Sequence, residues 1–141
     1  MVREIIRDTE ILQTISQCVD VNSEETEKII RNLIDTANAN RETNHCVGLA
    51  AIQIGEPKRI VVVYDGQRFV PFVNPVISKL EGKKYIATEG CLSLDGERQV
   101  ERRYAIHVLS RIKHGYISQR YCGFTAQVIQ HEIDHLNGKL I

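Results

Sequence analysis

A chain of 141 residues is long enough to bury a core without disulfide staples, and it reads as one domain, residues 1–141. Hydrophobic residues at 43% and charged residues at 26% are those of an ordinary globular protein, and 18 Lys and Arg balanced by 18 Asp and Glu leave no basic excess for a nucleic acid. No apolar run approaches the ~20 residues that cross a bilayer, and the N-terminus lacks the apolar core of a signal peptide, so a cytoplasmic protein off the membrane is expected, with Cys18, Cys46, Cys91 and Cys122 reduced.

The first clear element is a helix over residues 22–41. Asn22 or Ser23 can cap it, Asn22 with Glu25 makes a capping box, and Ile29, Ile30, Leu33, Ile34 and Ala37 form its apolar stripe. A polar loop, 38–44, leads into the small apolar stretch 47–55, which Gly55 and Pro57 break. Residues 59–64 are β-branched and predict a buried strand, and Asp65-Gly66 predicts a hairpin into a partner strand at 69–73. Pro71 places that partner at a sheet edge. Further strands are expected at 83–89, 99–103, 105–110 and 116–122, with a turn at His114-Gly115. The Arg-rich stretch from Arg98 to Arg103 reads as a solvated strand edge. Helix resumes near Phe124 and runs to about Asn137, with Gly138 where a left-handed cap belongs. Helix, several strands, then helix argues for an α+β fold, its mostly antiparallel sheet packed on the C-terminal helix.

That last helix carries the pattern H-E-x-x-H in His131, Glu132 and His135. Positions four apart share a helix face, so both imidazoles can turn a nitrogen to one metal ion while Glu132 reaches a water beside it. Two neutral imidazoles and a carboxylate base are what metal-assisted hydrolysis needs. Val128 and Phe124 precede His131 by three and seven residues on the same face, where they either floor an apolar pocket or pack in the core. The third ligand is best sought in Glu89-Gly90-Cys91-Leu92-Ser93, where a loop after a strand can present the Cys91 sulfur. A buried free thiol is the competing reading of Cys91, and it is the favoured one for Cys18 and for Cys122, which is placed in the core. Glu89 either orients a ligand or an arginine such as Arg98 or Arg102, or is an exposed strand-end carboxylate. His45, His107 and His114 have no partner at ligand spacing.

Three segments, Gly48-Leu49-Ala50-Ala51-x-Gln53, Glu89-Gly90-Cys91-Leu92-Ser93 and Gln130-His131-Glu132-x-Asp134-His135, resemble in order and spacing the three motifs of peptide deformylases. The resemblance implies metal-dependent removal of the formyl group from N-formyl-methionyl nascent peptides, at the ribosome, by a monomer with one divalent ion: Fe(II), with Ni, Co or Zn as substitutes. It implies that Cys91, His131 and His135 bind that ion and that Glu132 is the general base. Gln53 and the backbone N–H of Leu92 are then the donors to the formyl oxygen, while Val47 and Gly48 run along the substrate cleft.

The chain departs from the family pattern at Cys46, where a glycine is usual, at Ile52, at Leu94-Asp95, and in stopping at Ile141. A Cβ at position 46 either narrows the cleft or fills core space. Two other readings stay open: a zinc peptidase or other amidase, and a deformylase-like protein with little turnover that binds a peptide N-terminus or a metal. Cys91 and Gln53 argue against the first, and Glu132 against the second.

Overall fold

The computed structural model describes residues 1–141. Its elements in order are α1 (Thr9–Leu12), α2 (Glu24–Ala39), β1 (Gly48–Ala50), a 3-10 turn (Ala51–Ile54), β2 (Ile60–Tyr64), β3 (Phe69–Cys91), β4 (Leu94–Ile112), β5 (Gly115–Cys122) and α3 (Gly123–Leu136). The five strands form one antiparallel meander in sequence order. The expected α+β class holds. No helix is long and apolar enough to cross a membrane.

β2 explains how the layers stack. Its alternate residues face opposite ways, with Val61 and Val63 in the cluster beneath α3 and Ile60 and Val62 in the cluster beneath α2. Both faces are therefore covered, which is why residues 60–63 are uniformly β-branched rather than alternating. β1 divides in the same way, Leu49 toward α2 and Ala50 toward α3.

Several boundaries differ from expectation for local reasons. Ser23, not Asn22, caps α2: its Oγ accepts from the Thr26 N–H at 3.1 Å, so the Asn22–Glu25 box does not form. The β2–β3 turn centres one residue later, on Gly66-Gln67, because the Asp65 carboxylate accepts from the N–H groups of Gln67 and Arg68. The expected strands at 69–73 and 83–89 are parts of one 23-residue β3, and those at 99–103 and 105–110 are parts of the 19-residue β4. Register shifts between Val73 and Val76, Ile77 and Lys79, and Glu81 and Lys84 bend this long pair without ending it. At Pro71 the strand pairs with β2 alone, since β4 joins at Val73; the edge reading of that segment holds.

α3 is fixed at its C-terminus and at its middle. At its C-terminus Arg59 donates to the Leu136 carbonyl at 3.0 Å and to Asn137 Oδ1 at 2.9 Å, placing a cation on the negative end of the helix dipole. Gly138 has φ +76°, and a Cβ there would lie 2.4 Å from the Gln13 carbonyl oxygen, so only glycine fits this cap. Midway, the Gln130 amide binds the backbone of Arg103 twice, at 2.9 and 3.0 Å, joining α3 to β4 like one more rung of the sheet.

Two cysteines are not where they were expected. Cys122 is exposed, because it ends the uncovered edge strand β5, and Cys18 is exposed in the extended segment before α2. The stretch 98–103 is not solvated throughout either: Arg102 is 4% exposed, held inside by two carboxylates.

Candidate metal centre and its cavity

Cys91, His131 and His135 meet with one ligand atom each, all within 4.8 Å of one another. α3 supplies the two rings at i and i+4, and the tight turn at Leu92-Ser93 that joins β3 to β4 presents the sulfur. The two Nε2 atoms lie 3.1 Å apart, and Cys91 Sγ is 3.4 Å from His135 Nε2. Nitrogens ~2.1 Å from a tetrahedral ion stand roughly 3.4 Å from each other, so the donors are spaced for one cation between them.

The electrostatics favour the same occupant. Burial opposes charge on His131, but its contacts with Cys91 and Glu89 outweigh burial and raise it to about 10. Burial and the neighbouring His131 charge push His135 down to about 3. Two nitrogens this close cannot both carry protons, and a shared cation removes that conflict.

Behind the ligands runs a buried ionic chain. His131 Nδ1 lies 2.9 Å from Glu89 Oε1, which leaves Nε2 free to face the ion. Glu89 accepts two bonds from Arg102, at 2.7 and 2.9 Å, and Arg102 donates a third to Asp134 at 2.6 Å. Burial alone would raise the Glu89 carboxyl; the bonds from Arg102 and His131 hold it down at about 2. Of the two arginines considered as partners for Glu89, Arg102 takes the role, while Arg98 reaches only the Asp95 carbonyl, at 3.4 Å.

In front of the ligands is a cavity of about 370 Å³, lined in part by Val47, Gly48, Phe124, Val128, Gln53 and Leu92. Glu132 forms part of the same wall and is fully buried, which pushes its carboxyl up to about 7, and its Oε1 has no hydrogen-bond partner. A carboxylate poised near neutrality with a free oxygen is suited to taking and returning a proton. Gly48 makes room for it: a Cβ there would meet Glu132 Oε2 at 2.7 Å and Val128 Cγ1 at 2.8 Å. The Gln53 side chain is anchored by the Ala50 N–H at 2.9 Å and donates to Ser93 Oγ at 3.1 Å and, at 3.4 Å, to Cys91 Sγ. The Leu92 N–H has no backbone acceptor, and the Leu92 carbonyl is held by Arg7 at 3.1 Å.

Cys91, His131, His135, Glu132, Gln53, Leu92, Val47, Gly48, Phe124 and Val128 therefore all stand at this centre or on its cavity. His45, read as an ordinary surface residue, also stands in the lining. Sequence reasoning missed Arg7 and Gln127, and gave no role to Ser93 and Gln130 although both stand in the quoted motifs. Gln127 and Gln130 sit at fixed offsets from His131 on α3, and helical spacing could have found them; Arg7 lies 85 positions from its contact and carried no signal.

Cys46 is 3% exposed and belongs to the cluster beneath α2, its thiol directed at the Gly48 carbonyl at 3.4 Å. Burial, then the charge of Glu132, pushes it up to about 12, so it stays a neutral thiol. It also touches the cavity lining.

The family model for polypeptide deformylase matches residues 2–141. The peptide deformylase of Clostridium beijerinckii is 44% identical over 142 residues, covering the whole of both chains. Among solved structures, the peptide deformylase of Thermotoga maritima superposes with a TM-score of 0.87 at 32% identity, covering 99% of this chain and 95% of that one. The actinonin-bound class I type b peptide deformylase of Acinetobacter baumannii gives 0.84 at 31% identity, with 99% and 95% covered. With Cys91, His131 and His135 converging beside Glu132 and these matches along the full chain, the protein belongs to the peptide deformylase family.

Proposed function

We propose that residues 1–141 form one catalytic domain that hydrolyses the N-terminal formyl group of formyl-methionyl nascent peptides, releasing formate and a free amine. The observation that carries this is the convergence of Cys91, His131 and His135 beside the buried, partner-free oxygen of Glu132. These three side chains would hold one divalent ion, Fe(II) in the cell, with Ni, Co or Zn able to stand in; a thiolate beside two imidazoles suits such borderline-soft ions. When bound, the ion supplies a Lewis acid that polarises the formyl carbonyl and acidifies water.

The rest falls to the chain's own residues. Glu132 accepts the proton of the attacking water at its free carboxylate oxygen and passes it to the departing nitrogen, so that the amine leaves neutral. Charge that develops on the formyl oxygen is met by the Gln53 amide and the Leu92 N–H. Gln53 is held ready by its bonds to Ala50 and Ser93, and the incoming oxygen replaces only its long contact with sulfur. Val47, Gly48, Phe124 and Val128 line the space open to the substrate. Glu89 and Arg102 keep His131 turned to the ion. The chain acts as a monomer in the cytoplasm, on nascent chains at the ribosome.

The test is an anaerobic assay of Fe(II)- and Ni(II)-loaded protein on formyl-Met peptides beside acetyl-Met controls. Release of formate from the first alone is the expected result. A loaded, folded protein that releases none sinks the proposal.

A further inference from the structure

The cavity-facing side of α3 carries Phe124, Gln127, Val128 and His131 at helical spacing, and one of the three residues before the ligand is polar. Gln127 stands one turn before His131, ~6 Å along the helix axis. That is the reach of the first side chain of a peptide whose formyl group lies at the metal centre. The amide of Gln127 is not adrift: its Oε1 accepts from the Tyr85 hydroxyl on β3 at 3.0 Å. With the carbonyl oxygen so used, Nε2 has no acceptor in the protein, and Gln127 lines a cavity whose other walls include Val47, Phe124 and Val128.

A fixed donor beside apolar walls discriminates. An occupant that offers an acceptor satisfies it, and one that does not leaves it stripped of water and unpaired. A methionine thioether is a weak acceptor, the methylene of norleucine is none, and a sulfoxide oxygen is a strong one.

We propose that Gln127, pinned by Tyr85, is a specificity-determining residue that selects first side chains bearing an acceptor where methionine has its sulfur, so that methionine is preferred over norleucine and methionine sulfoxide is accepted. This rests on the formyl-peptide reading of the site. In the reaction Gln127 does not touch the formyl group; it acts on which substrate is seated.

The experiment compares formyl-Met, formyl-norleucine and formyl-Met-sulfoxide peptides as substrates of the metal-loaded protein. Calorimetry of their N-acetyl analogues, which report the pocket without turnover, runs beside it. Wild-type protein, Gln127→Leu, Gln127→Glu and Tyr85→Phe are measured together. The expected result in wild type is a tenfold or larger preference for Met over norleucine, with the sulfoxide within about tenfold of Met. Gln127→Leu should bring norleucine level with Met and cost the sulfoxide at least tenfold relative to Met. Gln127→Glu keeps the shape but loses the donor, and should lose the same preference if the leucine variant does not fold. Tyr85→Phe, which frees the amide to turn, should lie between. Ratios among the three peptides that are the same in wild type and in both Gln127 variants, by rate and by affinity, would overturn the proposal. Loss of turnover on formyl-Met in wild type would strike the catalytic reading alone, since the acetyl-peptide affinities still decide this one.

Discussion

The two helices that cover the sheet bury different things. α2 lays Ile29, Leu33 and Ala37 on Leu49, Ile60 and Val62, and the polar residues it buries, Thr26, Asn32 and Thr36, bond to their own helix and to the chain before it, not to the sheet. α3 lays Ile129, Ile133 and Leu136 on the opposite side, but the same helix also buries Gln130, His131, Glu132 and His135. Apolar burial has no direction, so any side chain of the right size at the right helical period serves. Polar burial needs a partner for each atom, and α3 draws its partners from β3, β4 and the Leu92-Ser93 turn: Glu89 for His131, the Arg103 backbone for Gln130, Arg102 for Asp134. One helix holds the protein together. The other holds the chemistry and depends on several strands to do so.

The sharpest separation of the two comes from within α3. Glu132→Gln keeps the shape of the side chain and removes its ability to accept a proton, so deformylation should fall by roughly 10²–10⁴ while bound metal stays near one per chain. Cys91→Ser and His135→Ala should instead lose the metal. Metal analysis beside single-turnover rates checks both, and a Glu132→Gln protein that keeps most of its rate would remove the base from the mechanism.

Arg102 and Leu33 carry the comparison into stability. Arg102→Met leaves Glu89 only His131 and Asp134 only Lys139, and losing one partner of a buried charge network costs about 3–5 kcal/mol. It also frees His131 from its orienting chain, so metal affinity should drop by roughly 10–100-fold. Leu33→Ala opens a cavity beneath α2 and should cost about 2–5 kcal/mol, with metal affinity and the rate per folded molecule unchanged. Denaturant melts paired with metal titrations distinguish them. If Leu33→Ala weakens metal binding as much as Arg102→Met does, the two regions are one unit and the contrast fails.

The same contrast explains what could be read in advance. α2 was legible because an apolar stripe has a period, and β2 because a strand covered on both faces must be apolar throughout. On α3 the meeting of His131, Glu132 and His135 at one cavity was legible because all three lie within five positions of one helix. Their partners were not: Arg102 meets Glu89 across 13 positions and Asp134 across 32, and local sequence does not say which of several arginines in a strand faces inward. Strand ends were blurred for a related reason. The register shifts within β3 carry Asn74-Pro75 and Gly82, residues that read as breaks in a sequence but here sit in bulges of one continuous ladder, so β3 read as separate pieces.

Cys46 stands on the seam, packed in the cluster beneath α2 and touching the cavity in front of α3. Its two possible roles predict opposite outcomes for the family's usual glycine. If the side chain narrows the cleft, Cys46→Gly should bind substrate better. If it belongs to the α2 region, the same change removes a buried group and adds chain freedom to the unfolded state. Burial to 3% and a thiol aimed at the Gly48 carbonyl, rather than at the metal ligands, favour the second role. Cys46→Ala should then cost about 1 kcal/mol, the scale of one buried methylene-sized group, with KM unchanged. Cys46→Gly should cost a further ~0.5–1 kcal/mol, again without gain in KM. This is the smallest of the expected effects, and it is resolved by melts of the three proteins beside their Michaelis constants on a formyl-Met peptide. A lower KM in the glycine form would move Cys46 across the seam, into the region that governs the substrate.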